Sequence, residues 1–158
     1  MEPKIEVATI DDLKNIQELN LLLFKKEREE FDKTLNCEWP MSEDGEAYFK
    51  ECITGEEKCA FVARLDDKIV GYLVGRTHKD KVFHRILPLL AGLDNMLVLE
   101  EYRGKGIGTR LYQSFKDWSK SKGIGKIQVL ASIQNTDGIN FYHQNGFVDY
   151  DLILESDI

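Results

Sequence analysis

Residues 96–112, MLVLEEYRGKGIGTRLY, constrain this chain more than any other stretch. The apolar run 96–99 reads as a buried strand. Arg103, Gly104, Lys105, Gly106 and Gly108 then make a short glycine-rich loop. Ile107, Leu111, Phe115 and Trp118 follow at helical spacing. This order places the loop at a helix N-terminus, where unpaired N–H groups and the positive end of the dipole face outward. Glycines let backbone amides come close to a ligand, so such an end suits a phosphate group.

The charge pattern agrees. The chain carries a net charge of −7, which argues against non-specific nucleic-acid binding. Yet residues 103–126 hold Arg103, Lys105, Arg110, Lys116, Lys120, Lys122 and Lys126 against Asp117 alone. Arg103 and Lys105 flank the loop and read as anion ligands. The lysines from 116 to 126 read as a solvated helix face. No apolar run is long enough to span a membrane, and the N-terminus has no signal-peptide pattern. Cys37, Cys52 and Cys59 are odd in number and form no CxxC, so they read as packed, reduced thiols of a cytoplasmic protein. They share no ligand spacing with His78, His84 or His143, and no metal is expected.

At 158 residues and 42% hydrophobic, the chain is expected to form one domain, 1–158, with a sizeable core. Residues 4–8 suit a first strand. The S/T-x-x-D/E pattern from Thr9 to Asp12 starts a helix that carries Leu13, Ile16, Leu19 or Asn20, Leu23 and Phe24 to about residue 31. Trp39-Pro40 breaks the chain, and Ser42 caps a second helix ending near Gly55. Strands at 59–65 and 69–74 form a hairpin across 66–68. Residues 77–88 read as a loop or a short helical insertion. A strand then feeds the glycine loop, and its helix runs to Lys122 with a stop at Gly123. A strand at 126–133, a short helix opened by Asn135 and closed by Gly146, and a last strand at 147–154 complete the chain. The alternation implies a mixed α/β sheet flanked by helices and partly antiparallel.

The loop fits neither of two common nucleotide motifs. A P-loop needs Gly-Lys-Ser/Thr, which is missing, and a G-x-G-x-x-G fingerprint fails at Thr109. It does fit a pyrophosphate cradle of the form Q/R-x-x-G-x-G/A, through Arg103, Gly106 and Gly108. A second motif follows after one helix and one strand: Asn135, Gly138, Phe141-Tyr142 and Gly146-Phe147. Together the two segments resemble the GCN5-related N-acetyltransferase (GNAT) family. The specific likeness covers about residues 89–150; the first 88 match in element order only.

This resemblance implies a single-domain acyl-CoA N-acyltransferase-like fold with a mixed, mostly antiparallel sheet. It also implies transfer of the acetyl group of acetyl-CoA to a primary amine, without a metal. The cofactor arm would pair with the strand edge at Met96, Leu97 and Val98. The pyrophosphate would rest on the amides of Gly104, Lys105, Gly106, Ile107, Gly108 and Thr109, with Arg103 and Lys105 adding charge. Asn135 matches the asparagine that contacts the cofactor arm, and Tyr142 the tyrosine facing the thioester sulfur. Some relatives place a glutamate five residues before that asparagine; here the position is Leu130, so that role does not carry over. Asp94, on the strand face of Met96 and Val98, is the leading base candidate, with Glu38 and His84 behind it.

The chemistry is consistent with these roles. Negative charge grows on the carbonyl oxygen and then on sulfur, and each edge N–H contributes about 3 kcal/mol to an oxyanion. A tyrosine of pKa about 10 is a weaker acid than a thiol of about 8.5, so Tyr142 donates a hydrogen bond more readily than a proton. No cysteine stands beside a histidine as nucleophile, so direct attack in a ternary complex is expected. The acidic first half suits a cationic acceptor such as a polyamine, an aminoglycoside-like sugar or a lysine-bearing peptide. A non-catalytic acyl-CoA-binding regulator of the same fold is the alternative. Exposed strand edges in small sheets pair between subunits, which raises the prospect of a homodimer.

Overall fold

The computed structural model describes residues 2–78, 86 and 88–158. Its sheet has five strands in chain order: β1 (Lys4–Val7), β2 (Lys58–Leu65), β3 (Lys68–His78), β4 (Leu90–Val98) and β5 (Lys126–Val129). The first four pair antiparallel, and β5 joins β4 in parallel. A parallel pair needs a crossover, supplied by α3 (Ile107–Ser121).

Local signals set the helix starts. The Thr9 N–H donates to Asp12 Oδ2 at 2.9 Å, turning the chain into α1 (Leu13–Glu30). Ser42 Oγ accepts from the Gly45 N–H at 3.2 Å and caps α2 (Glu43–Thr54), whose first turn carries Glu43, Asp44 and Glu46. Asn135 Oδ1 accepts from the Gly138 N–H at 3.0 Å and caps α4 (Thr136–Gln144).

Both faces of the sheet are covered. On one, Phe61, Leu73 and Leu93 pack against Ile107, Leu111 and Phe115 of α3. On the other, Val62, Tyr72, Val74 and Leu97 pack against Ile16 and Leu19 of α1 and Phe49 and Cys52 of α2. Burial on two faces explains the near-continuous apolar runs of β2 and β3.

Three expectations change. Residues 147–154 form no strand: Val148 and Leu154 are each 83% exposed, and the run joins none of the five strands. β5 stops at Val129, leaving Leu130 and Ile133 86% and 71% exposed. Thr77 and His78, read as loop, extend β3 because they pair with Ala91 and Leu90. The rest of the expected loop, residues 79–85 and 87, lies outside the described residues, and His84 with it.

Candidate active site

β4 is irregular where the site is built. Val74 faces Asn95 and Gly75 faces Leu93, so Asp94 is an extra residue in a bulge. The parallel pairing with β5 ends at Leu93↔Val129. Beyond it, Met96, Leu97 and Val98 run on without a β5 partner, leaving an edge for an extended ligand.

The glycine loop continues from that edge. Gly104 and Gly106 have φ of 72° and 76°, a region that only glycine enters at little cost. No atom lies within 4 Å of a Cβ placed on either, so the space before the loop is open. The first bond of α3 runs from the Arg110 N–H to the Gly106 carbonyl at 3.1 Å, and no side chain caps this end. The preceding amides therefore point outward. Arg103 Nε–H donates to the Val98 carbonyl at 2.8 Å. Lys105 Nζ donates to the Glu101 carbonyl at 3.3 Å and lies 5.6 Å from the Tyr102 ring centre. Open space, free amides and two nearby cations fit the diphosphate of a CoA thioester.

α4 packs onto this end of α3. A Cβ on Gly108 would lie 3.1 Å from the Phe141 ring, so the ring would have to yield slightly to admit one. Tyr142 stacks edge-on against Phe141 and Phe147 at 5.4 and 5.3 Å. No hydrogen bond to its hydroxyl is recorded among the described residues. Burial, with help from the charge of Glu27, pushes this phenol up to about 12.

Asp94 is fully engaged. Tyr48 donates its hydroxyl to Oδ2 at 2.8 Å, and Arg76 Nε lies 3.3 Å from Oδ1. It ties α2 to β4. Burial, then the neighbouring Cys52 and Asp94, push the Tyr48 phenol far up. Glu38 stands exposed before the turn Trp39–Met41. Burial also raises both inner thiols, Cys52 to about 11, so neither is an activated nucleophile.

The structure adds a polar cluster that the sequence reading missed. Asn20 on α1, fully buried, donates Nδ2–H to the Tyr72 hydroxyl at 2.8 Å, while its Oδ1 has no partner. Glu27, two turns on, is half-buried. The signal was present: Ile16, Asn20, Leu23 and Glu27 share one helical face, and two of these four are polar. No group of metal-ligating side chains occurs among the described residues, and no described helix is long and apolar enough to cross a membrane.

Comparison with known proteins points to one family. The family described as "Acetyltransferase (GNAT) family" matches residues 23–147. N-alpha-acetyltransferase 30 of Schizosaccharomyces pombe is 30% identical over 58% of this chain and 58% of its own length. An N-alpha-acetyltransferase of Sulfurisphaera tokodaii is 32% identical over 63% of this chain. The match spans 62% of that relative, so both alignments leave over a third of the relatives' length unmatched. In fold, a mutant BH1408 protein of Bacillus halodurans superposes with a TM-score of 0.87 at 19% identity, covering 98% of this chain and 99% of that one. The aminoglycoside acetyltransferase AAC(6')-Iy, bound to a CoA bisubstrate analogue, gives 0.76 at 16% identity over 100% and 99%. The chain belongs to the GNAT acetyltransferase family.

Proposed function

We propose that this protein moves the acetyl group of acetyl-CoA to a primary amine by direct attack in a ternary complex. The observation that carries the reading is the β4 edge, released from β5 after Leu93 and leading into an open, amide-lined loop. The pantetheine arm would pair with Met96, Leu97 and Val98. The diphosphate would take the amides from Gly104 to Thr109. Asn135, whose Oδ1 is occupied by its cap bond, would offer its Nδ2 to the arm.

Edge N–H groups would stabilise the carbonyl oxygen as it gains charge. The Tyr142 hydroxyl would donate to the departing sulfur. At a pKa of about 12 the phenol holds its proton more tightly than a free thiol of about 8.5, so it donates a hydrogen bond and keeps the proton. Asp94, with both oxygens engaged, would act through the placement of Tyr48 and the bulge. The acceptor is proposed to be cationic. The acidic balance of the first 102 residues supports this, as do the amine-modifying activities in the names of the relatives and fold neighbours.

Thermal-shift titration with acetyl-CoA, NAD and ATP tests the ligand, because any ligand of the native state raises the melting point. Mass spectrometry of a panel of amines then tests turnover. Stabilisation by acetyl-CoA alone, with an acetylated amine, supports the enzyme. Stabilisation without turnover of any amine supports the acyl-CoA-binding regulator instead.

A further inference from the structure

We propose that two copies of this chain pair by exchanging a strand: residues 147–154 of each lie antiparallel along the open edge of β5 in the other. This pairing is independent of the acetyl-transfer reading.

The segment has a strand's pattern and no sheet. Val148, Tyr150, Leu152 and Leu154 alternate, so an extended chain puts all four on one face. Their exposures are 83, 61, 66 and 83%. Ile153, on the opposite face, is exposed as well. A contiguous apolar run left in water ordinarily marks a contact surface. Only the start of the segment is tied to its own fold. The Phe147 N–H donates to the Tyr142 carbonyl at 3.0 Å, and its ring packs on Tyr112 and Tyr142, each at 5.3 Å. Asp149 Oδ1 lies 2.7 Å from His143 Nε2. These contacts fix where the segment leaves α4, and the residues that follow join none of the five strands.

The matching edge is on the same chain. β5 ends the sheet, with β4 on one side and no described strand on the other. In a parallel pair, alternate peptide groups point away from the partner strand. Those of β5 find no backbone partner among the described residues, so they are open to an added strand. Leu130 and Ile133, just past β5, are exposed and continue the apolar surface.

The two edges of the sheet are guarded differently. β1 carries Lys4 and Glu6, and Glu6 is bound to Arg64 at 2.9 Å. Charges of this kind deter pairing at an edge. In β5 only Lys126 is charged.

Charge complementarity selects the occupant and its direction. Residues 147–158 hold Asp149, Asp151, Glu155 and Asp157 and no lysine or arginine. Lys126 opens β5, and Lys120 and Lys122 precede it. Antiparallel pairing carries Glu155 and Asp157 toward these lysines and leaves the apolar start of the segment beside Val129 and Leu130. Parallel pairing would instead bring the acidic end past Leu130. The occupant is a second copy because each chain brings both the edge and the segment that fits it. Exchange about a two-fold axis fills both edges and closes the assembly at two chains.

The test uses the full chain. Sedimentation equilibrium should give twice the mass of one chain at micromolar concentration. The double variant Leu152→Glu, Leu154→Glu should raise the dissociation constant of the dimer by at least about 100-fold, because four leucine side chains per dimer return to water. Its circular dichroism should match the wild type, since both leucines are exposed in the single copy. An equal mixture of isotope-labelled and unlabelled wild-type chains then locates the contact. Filtered nuclear Overhauser effects should link residues 148–154 of one copy to residues 126–130 of the other. A wild type with the mass of one chain overturns the proposal. So do contacts between these two segments within one copy, and so does a dimer that the double variant leaves intact. If the double variant does not fold, the mixed-label contacts in the wild type decide. Acetyl-CoA binding by the wild type is scored separately, so a failed dimer leaves the acetyl-transfer reading standing, and the reverse.

Discussion

The guanidinium Nε–H of Arg103 donates to the Val98 carbonyl at 2.8 Å, clamping the start of the glycine loop to the last residue of β4. The same side chain thus fixes the loop, and under the proposed function its terminal nitrogens would meet the diphosphate. Lysine supplies the charge without this planar fork. Arg103→Lys should therefore weaken acetyl-CoA binding by about tenfold, equivalent to the net worth of one charge-assisted hydrogen bond, with little change in kcat at saturation. Calorimetry and steady-state kinetics check both parts.

Gly106 holds φ at 76° in the turn that starts α3. An alanine there takes a left-handed conformation at a cost of about 1 kcal/mol, though nothing stands within 4 Å of the new Cβ. Gly106→Ala should lower the melting temperature by about 3 °C and weaken acetyl-CoA binding, since the amides on both sides shift. Differential scanning fluorimetry with and without acetyl-CoA reads both effects.

Tyr142→Phe removes only the hydroxyl from a ring packed on Phe141 and Phe147. It should cut kcat by about 10- to 100-fold, as expected for a lost donor to developing charge, and leave acetyl-CoA affinity unchanged. Because the phenol lies near 12, its own ionisation should not appear in the pH–rate profile below about pH 11. Pre-steady-state kinetics over that range provides the check.

Asp12 tests the fold independently of the site. It is buried, and burial opposes its charge. The Arg64 guanidinium at 2.7 Å and the bonds from Thr9 outweigh that and hold its carboxyl below the usual range. A lowered folded pKa gives stability that is present above the unfolded value of about 3.9 and is lost as pH falls through the folded value. Asp12→Asn should cost about 2 kcal/mol at neutral pH, and the difference should close as the pH drops below about 4. Urea melts at several pH values measure it.

Most of the architecture was written in local patterns. Thr9, Ser42 and Asn135 marked three helix starts, and the two-motif spacing from Arg103 to Phe147 pointed to the family. What failed depended on distant neighbours. The run 147–154 has strand-like residues, but pairing needs an edge that local sequence does not reveal. Asp94 was read as a base candidate, and its partners, Tyr48 and Arg76, which lie 46 and 18 positions away, are not visible in local sequence. Asn20 was hidden for a related reason: a polar residue on a helix usually faces water, and only the packing of α1 on the sheet buries this one against the Tyr72 hydroxyl.

Hydrogen exchange of the backbone amides, followed with and without acetyl-CoA, bears most directly on the cradle at the N-terminus of α3. The account predicts slowed exchange across residues 104–109 and at Met96, Leu97 and Val98 when acetyl-CoA is added, and no slowing there with NAD. Acetyl-CoA that binds without protecting those amides, or does not bind at all, would contradict it.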